Sequence, residues 1–287
     1  MKTQRNLAAT IIATLSFIFF GPSFSFAQST RTDNQIGYYQ ELLNRDPRSA
    51  RAYFGLGDAL IRKARETGDA DYFNRAEAAL TKSLELAPKN VGAMRHLAYV
   101  FYSRHEFEPA AVHAREAIAL NSTDADAYGI LGDALLETGQ YEGAEEAYRK
   151  MMDLEKNLYS YSRLAGLESM RGDSAGATAD LERAIVSGKA QRAPAESIAW
   201  AQWQLGSDHF SLGNLEKAEA NYRQSLDTYP NYYRALAGMA QVRAAQKRYN
   251  EAVDFYQKAI AILPMPDYVA ALGDVYANMG NSVLAKQ

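Results

Sequence analysis

The sequence predicts an all-α solenoid of about six and a half helix-turn-helix repeats. Three observations predict it. Small residues recur in pairs twelve positions apart, at Ala98/Ala110, Gly132/Ala144, Ala165/Ala177, Gly206/Ala218, Ala240/Ala252 and Gly273/Ala285. The first member of each pair follows a large apolar residue: Leu97, Leu131, Leu164, Leu205, Met239 or Leu272. The chain is also rich in Ala, Leu, Glu, Tyr and Arg, a composition that suits helices. Tyr128 to Met152 shows the unit most clearly. Leu131, Gly132 and Leu135 mark one helix, Gly139 marks a tight turn, and Ala144, Tyr148 and Met151 mark the next helix. Alternation of large and small side chains lets two helices approach closely, and self-similarity at a fixed period is read as repeat architecture.

Taken in order, residues 1–27 have the pattern of a secretory signal peptide. Lys2 and Arg5 form a positive start, Leu7 to Phe20 is apolar, and Ser25-Phe26-Ala27 supplies small residues for cleavage between Ala27 and Gln28. The apolar run is short for a membrane span, which needs about 20 residues. An exported chain without cysteine points to a bacterial periplasm or to secretion. Residues 28–35 are expected to be a disordered polar linker. Residues 36–47 are expected to form a lone helix closing the start of the stack, ended by Asp46-Pro47. Full repeats then follow at about 50–88, 91–122, 125–156, 158–189, 196–230 and 233–264, with a partial one at 266–287. The first repeat carries seven extra residues around Glu66 to Arg75, expected to lengthen both helices and the turn. Pro194 suits the first turn of the helix that opens the fifth repeat.

The landmarks Leu56, Leu97, Leu131, Leu164, Leu205, Met239 and Leu272 are spaced 41, 34, 33, 41, 34 and 33 residues apart. The irregularity itself recurs after 108 residues. It reflects either duplication of a three-repeat block or a coincidence of loop lengths.

On these residues the pattern resembles the tetratricopeptide-repeat (TPR) family over about residues 36–287. The Leu164 to Ala184 block and the Val269 to Tyr276 stretch are similar to exported bacterial TPR proteins. Ser122, Lys156 and Lys189 stand where the family prefers proline, and Glu168, His209 and Arg243 replace apolar residues of first helices. The resemblance implies a right-handed superhelix whose first helices line a concave surface that holds a peptide or a partner helix. Helical phase gives the candidate lining: Phe54, Asp58 and Arg62; Arg95, Tyr99 and Tyr102; Asp133; Tyr159 and Arg163; and Trp203, Ser207 and Phe210. Aromatic residues with arginines are the side chains that most often carry binding energy in interfaces. The Lys/Asn set with which some TPR domains clamp a carboxyl terminus is not seen.

Composition narrows the chemistry. There is no cysteine, hence no disulfide framework, thiolate metal site or cysteine nucleophile. The formal net charge is -3, and the two positive residues of 1–27 are its only charges, so the remainder stands at -5. A mildly acidic chain lacks the basic footprint of a nucleic-acid binder. His96, His105, His113 and His209 include no i,i+4 pair of the helical zinc type. His209 falls at a core position and is read as a buried, hydrogen-bonded histidine. Gly55-Leu56-Gly57 lacks the third glycine and preceding strand of a phosphate loop. Arg171-Gly172-Asp173 falls in a turn, where the glycine serves the backbone. The charge run from Glu142 to Lys150 is a solvated helix face. No cofactor, metal or catalytic residue is assigned. The expected function is a non-catalytic protein-protein interaction scaffold of the bacterial cell envelope, with no membrane span after signal cleavage. The alternatives are self-association through an uncovered C-terminal helix, Asp267 to Met279, or an accessory domain of a larger enzyme complex.

Overall fold

A computed structural model describes residues 31–286, and within them fourteen α-helices run antiparallel in sequence order. A lone helix, α1 (Arg31–Arg45), comes first. The pairs are α2 (Ala50–Thr67) with α3 (Asp71–Leu86), α4 (Val91–Ser103) with α5 (Phe107–Leu120), and α6 (Ala125–Glu137) with α7 (Tyr141–Leu154). They continue with α8 (Leu158–Met170) and α9 (Ser174–Ala190), α10 (Ala195–Ser211) and α11 (Leu215–Thr228), and α12 (Tyr233–Ala245) and α13 (Tyr249–Ile262). Helix α14 (Pro266–Asn278) is followed by a 3₁₀ turn at Leu284–Lys286. The pairs fall within two residues of the expected repeat bounds. Residues 1–27, with the Ala27/Gln28 cleavage, lie outside the described residues.

Each pair closes around the small residues. The position a Cβ on Gly132 would take lies 2.3 Å from the ring of Tyr148, and that on Gly206 lies 2.7 Å from Tyr222. Ala144 and Ala218, four residues before those tyrosines, are fully buried. A small residue thus meets a large one from the facing helix, as close packing requires. Five of the six three-residue turns inside the pairs place their middle residue in left-handed backbone, at Gly139, Gly172 and Gly213 but also at His105 and Lys247, while the first pair places the leading residue of its turn, Gly68, there. Asn90, Asp124 and Asn157 cap α4, α6 and α8 through side-chain oxygens. Ser83 and Ser225, buried on second helices, donate hydrogen bonds to the carbonyls of Ala50 and Ala199 and so tie each pair's helices together.

The stretch expected as linker is partly helical. Helix α1 begins at Arg31 rather than 36 and ends at Arg45 rather than 47. Polar composition misleads here because α2 supplies polar partners. Thr32 bonds Glu66, Asp33 pairs with Lys63 at 2.7 Å, and Arg62 donates to Gln35.

The seven extra residues of the first repeat enter its helices alone; the turn stays at three residues, 68–70. Helix α2 has 18 residues against 13 in α4, and α3 has 16 against 14 in α5. Counted from Gly57, the addition to α2 lies at its C-terminal end. The second 41-residue interval is built differently. There α9 has 17 residues and α10 has 17, and α10 is lengthened at its N-terminal end, before Gly206. The 108-residue recurrence is therefore the product of two separate helix extensions at different points of the repeat, not of one block copied twice.

Those extensions meet. Arg65, in the added part of α2, pairs with Glu196, in the added part of α10, at 3.2 Å. Beside them, Leu263 lies 2.9 Å from where a Cβ on Gly68 would stand. The superhelix curls until its first repeat touches its fifth and sixth across the concave side.

The family-pattern departures find local answers. Arg243 is 6 % exposed, yet it forms two hydrogen bonds to Glu219, at 2.6 and 2.8 Å, and one to Glu251 at 3.1 Å. His209 is buried as expected, but its Nδ1 has no hydrogen-bond partner among the described residues, so the expected hydrogen bond there is not made. Burial lowers the His209 pKa, with Lys217 adding to the effect and Asp208 and Glu182 opposing it. Burial raises Glu168, where Asp180 and Asp173 add to the effect, and its Oε2 is likewise unpartnered. At the far end, the 3₁₀ turn folds back on α14 and brings the Ala285 carbonyl 3.3 Å from a Cβ on Gly273. The helix expected to be uncovered is thus met by one short turn.

Candidate functional site

The concave side holds an open-mouthed chamber of about 960 Å³. First helices supply most of its wall. Tyr99 and Tyr102 come from α4, Asp133 from α6, Tyr159 and Arg163 from α8, Glu196 and Trp200 from α10, and Arg234 from α12. Five of the predicted lining residues are therefore brought together: Tyr99, Tyr102, Asp133, Tyr159 and Arg163.

Asp133 organises the floor. Its carboxylate accepts from Tyr148 at 2.9 Å and from Arg163 at 2.7 and 2.8 Å, a two-pronged pairing that joins the third repeat to the fourth. The carboxylate raises the Arg163 pKa against the effect of burial, so the guanidinium stays charged. Burial, with Asp133 and Glu137 beside it, pushes the Tyr102 phenol well above its usual value. Burial does the same to Tyr232. These phenols face the chamber neutral, able to donate. The Tyr159 hydroxyl lies 3.2 Å from that of Ser197, bridging α8 and α10. Arg104 is held by Glu77 at 2.5 Å and Glu106 at 2.8 Å.

The other predicted residues do different work. Arg95 reaches Asp124, the cap of α6, at 3.0 Å, and Asp126 at 3.4 Å, fastening neighbouring repeats. Asp58 pairs with Arg62 at 2.7 Å and sits 3.3 Å from His96. Phe54 packs edge-on against His96. Trp203 lies beneath the guanidinium of Arg234, and Phe210 packs against the Tyr222 cluster. Ser207 is half-buried on α10, away from the chamber wall.

Sequence reasoning missed Arg65, Phe73, Arg104, Glu196, Trp200, Tyr232, Tyr233 and Arg234, all of which line the chamber. A signal existed for two of them. Tyr159 stands six residues before its small residue Ala165; Trp200 stands six before Gly206, and Arg234 six before Ala240. The same register, carried into the fifth and sixth repeats, picks them out. No such signal marks Arg65 and Glu196, because the ends of the extended helices have no counterpart in other repeats.

Among the described residues, no group of three or more histidines and carboxylates could hold a metal ion, and no helix is long and apolar enough to cross a membrane.

Family profiles described as tetratricopeptide repeat match residues 36–83, 113–146 and 197–265. Among curated proteins, the Protein CTR9 homolog of Arabidopsis thaliana is 24 % identical over 271 residues, covering 91 % of this chain and 21 % of its own length. RNA polymerase II-associated protein 3 of Xenopus laevis is 25 % identical over 167 residues, covering 54 % of this chain and 25 % of its own. The chain thus spans about a quarter or less of these relatives. Among solved structures, the APC/C hetero-tetramer Cut9-Hcn1 superposes with a TM-score of 0.71 at 18 % identity, over 85 % of this chain and 46 % of that one. PilW, a widely conserved type IV pilus biogenesis factor, superposes with a TM-score of 0.59 at 15 % identity, over 68 % and 89 %. At these identities the structural likeness concerns the fold.

Proposed function

From its membership of the tetratricopeptide-repeat family we propose that this protein is a non-catalytic scaffold that holds an extended segment of a partner protein in the concave chamber. The observation that carries the reading is the chamber itself: one concave surface where Tyr99, Tyr159 and Trp200 converge with arginines from several repeats. Repeats that contact mainly their neighbours produce such extended concave surfaces. Aromatic and arginine side chains at the centre of a partly desolvated site are where binding energy concentrates.

The proposal includes location. Residues 1–27 are read as an export signal cut before Gln28, which delivers the chain to the bacterial cell envelope; N-terminal sequencing of the protein from its own cells checks this.

The test of function is a crosslinking pull-down from that envelope, beside a Tyr159→Ala/Trp200→Ala variant. One partner captured by the parent and lost by an equally helical variant supports the reading. Identical capture by both overturns it. A second reading, self-association, rests on the apolar exposure of Ile262, Val269 and Met279 around α14. Sedimentation over a range of concentrations tests it, and a monomer throughout removes it.

A further inference from the structure

Four arginines line the chamber (Arg65, Arg104, Arg163 and Arg234), and two carboxylates, Asp133 and Glu196. Three of the arginines are matched. Asp133 holds Arg163, Glu196 holds Arg65, and Glu77 with Glu106 holds Arg104 from outside the wall. No carboxylate among the described residues pairs with Arg234. One unneutralised positive charge therefore faces the chamber of an otherwise acidic chain.

Arg234 is also held in place. Its Nε donates to the Tyr233 hydroxyl at 3.1 Å. Its guanidinium carbon lies 5.1 Å from the ring centre of Trp203 and 5.3 Å from that of Tyr233. Tyr233 is in turn braced by Tyr232 and Tyr268, at 5.6 and 6.3 Å between ring centres. An arginine stacked in this way keeps its planar fork oriented while its two terminal nitrogens remain free to donate. Fixing the donor in advance removes part of the ordering cost of binding. A carboxylate matches that fork in shape, and its single charge matches the single excess charge.

We propose that Arg234 is the anchor of the site and that its ligand is an aspartate or glutamate side chain within an extended partner segment, flanked by apolar side chains that lie on Trp200 and Tyr232. This rests on the binding function proposed above and names the chemistry of the partner. The Arg65–Glu196 contact and Leu263 against Gly68 form part of the chamber wall, and the space of about 960 Å³ that it bounds admits a single extended segment and not a folded domain.

The test pans a phage-displayed random dodecapeptide library on the purified protein, and then measures synthetic versions of the selected peptides by fluorescence anisotropy. Arg234→Gln and Arg234→Lys are compared with the parent, and Arg45→Gln, on the exposed face of α1, serves as control. The expected result is enrichment of Asp or Glu at one position between apolar residues. Arg234→Gln should weaken binding at least tenfold and Arg234→Lys by less, with Arg45→Gln unchanged. Replacing the peptide's acid by its amide should weaken binding to the parent to the same degree and have no further effect on Arg234→Gln, an outcome that simple loss of structure would not produce. Selected peptides without acidic enrichment, or held equally by Arg234→Gln, overturn the proposal while leaving the scaffold reading intact. Loss of binding on amidating the peptide's C-terminus overturns it in favour of a terminal carboxylate. If the parent enriches no peptide at all, the peptide-binding reading itself falls and the proposal falls with it.

Discussion

Asp133 shows how much one side chain carries in this chain. It joins α6, α7 and α8 through Tyr148 and Arg163, with 16 % of its side chain exposed and 24 % of the arginine's. Asp133→Ala leaves that guanidinium without its counter-charge. Removing one partner of a buried pair costs about 3–5 kcal/mol, and the residual exposure here brings the expected loss to about 2 kcal/mol. Urea unfolding of the variant checks it; a loss under half of that would mean that water replaces the carboxylate. His209 makes a pH prediction. Its folded pKa lies below its unfolded value, so the unfolded chain takes up the proton first. The stability that neutral His209 contributes is present above its ordinary pKa, near 6.5, and declines as pH falls through that value toward the lower folded one. His209→Phe is expected to flatten the fall in melting temperature between about pH 7.5 and pH 5.5. Parallel curves for parent and variant would assign the fall to other groups.

At the scale of the element, the helix pair is set by small residues whose loss is felt at once. A Cβ at Gly132 would come 2.3 Å from the Tyr148 ring. Gly132→Val is therefore expected to destabilise by about 1–3 kcal/mol through overpacking, partly offset by the better helix propensity of valine over glycine. Chemical denaturation reads this, and an unchanged midpoint would show that Tyr148 can swing aside. These elements were legible in the sequence because each obeys one local rule: large, small, twelve residues, small. What was not legible obeyed no local rule. The start of α1 depended on polar partners offered by a helix more than 25 residues later. The two 41-residue intervals gave lengths without a place, and only the division of the first addition between α2 and α3 and of the second between α9 and α10 shows which ends project. The candidate site was legible where the projecting side chains kept the common register, as at Tyr99, Asp133 and Tyr159. It was lost where the wall came from an extension. Arg95 and Asp58 had the right phase but were already engaged, by Asp124 and by Arg62. Sequence spacing gives a side chain's direction, not whether a neighbour has already taken it.

For the whole molecule, the contact between Arg65 and Glu196 makes a collar of what would otherwise be an open arc. The pair is half-exposed, and ion pairs of that kind are weak, so the contact is a fastening that opens and closes. Charge reversal tests it cleanly in a chain without native cysteine. Spin labels at Thr67→Cys and Gln191→Cys should give a narrow distance distribution in the parent. Arg65→Glu should broaden and lengthen it, and Arg65→Glu with Glu196→Arg should restore it. An unchanged distribution in the single variant would mean that repeat stacking alone holds the arc closed.

That fastening also alters how the molecule comes apart. In an open stack each repeat meets only its neighbours, so unravelling starts at either end and proceeds unit by unit. Here residues 131 positions apart are joined. Tension applied between the first repeat and the last falls on that junction before any repeat peels away. A chain pulled from its two ends would yield first as a small extension with no loss of helix, a spring uncoiling, and only afterwards in the larger steps of repeats unfolding.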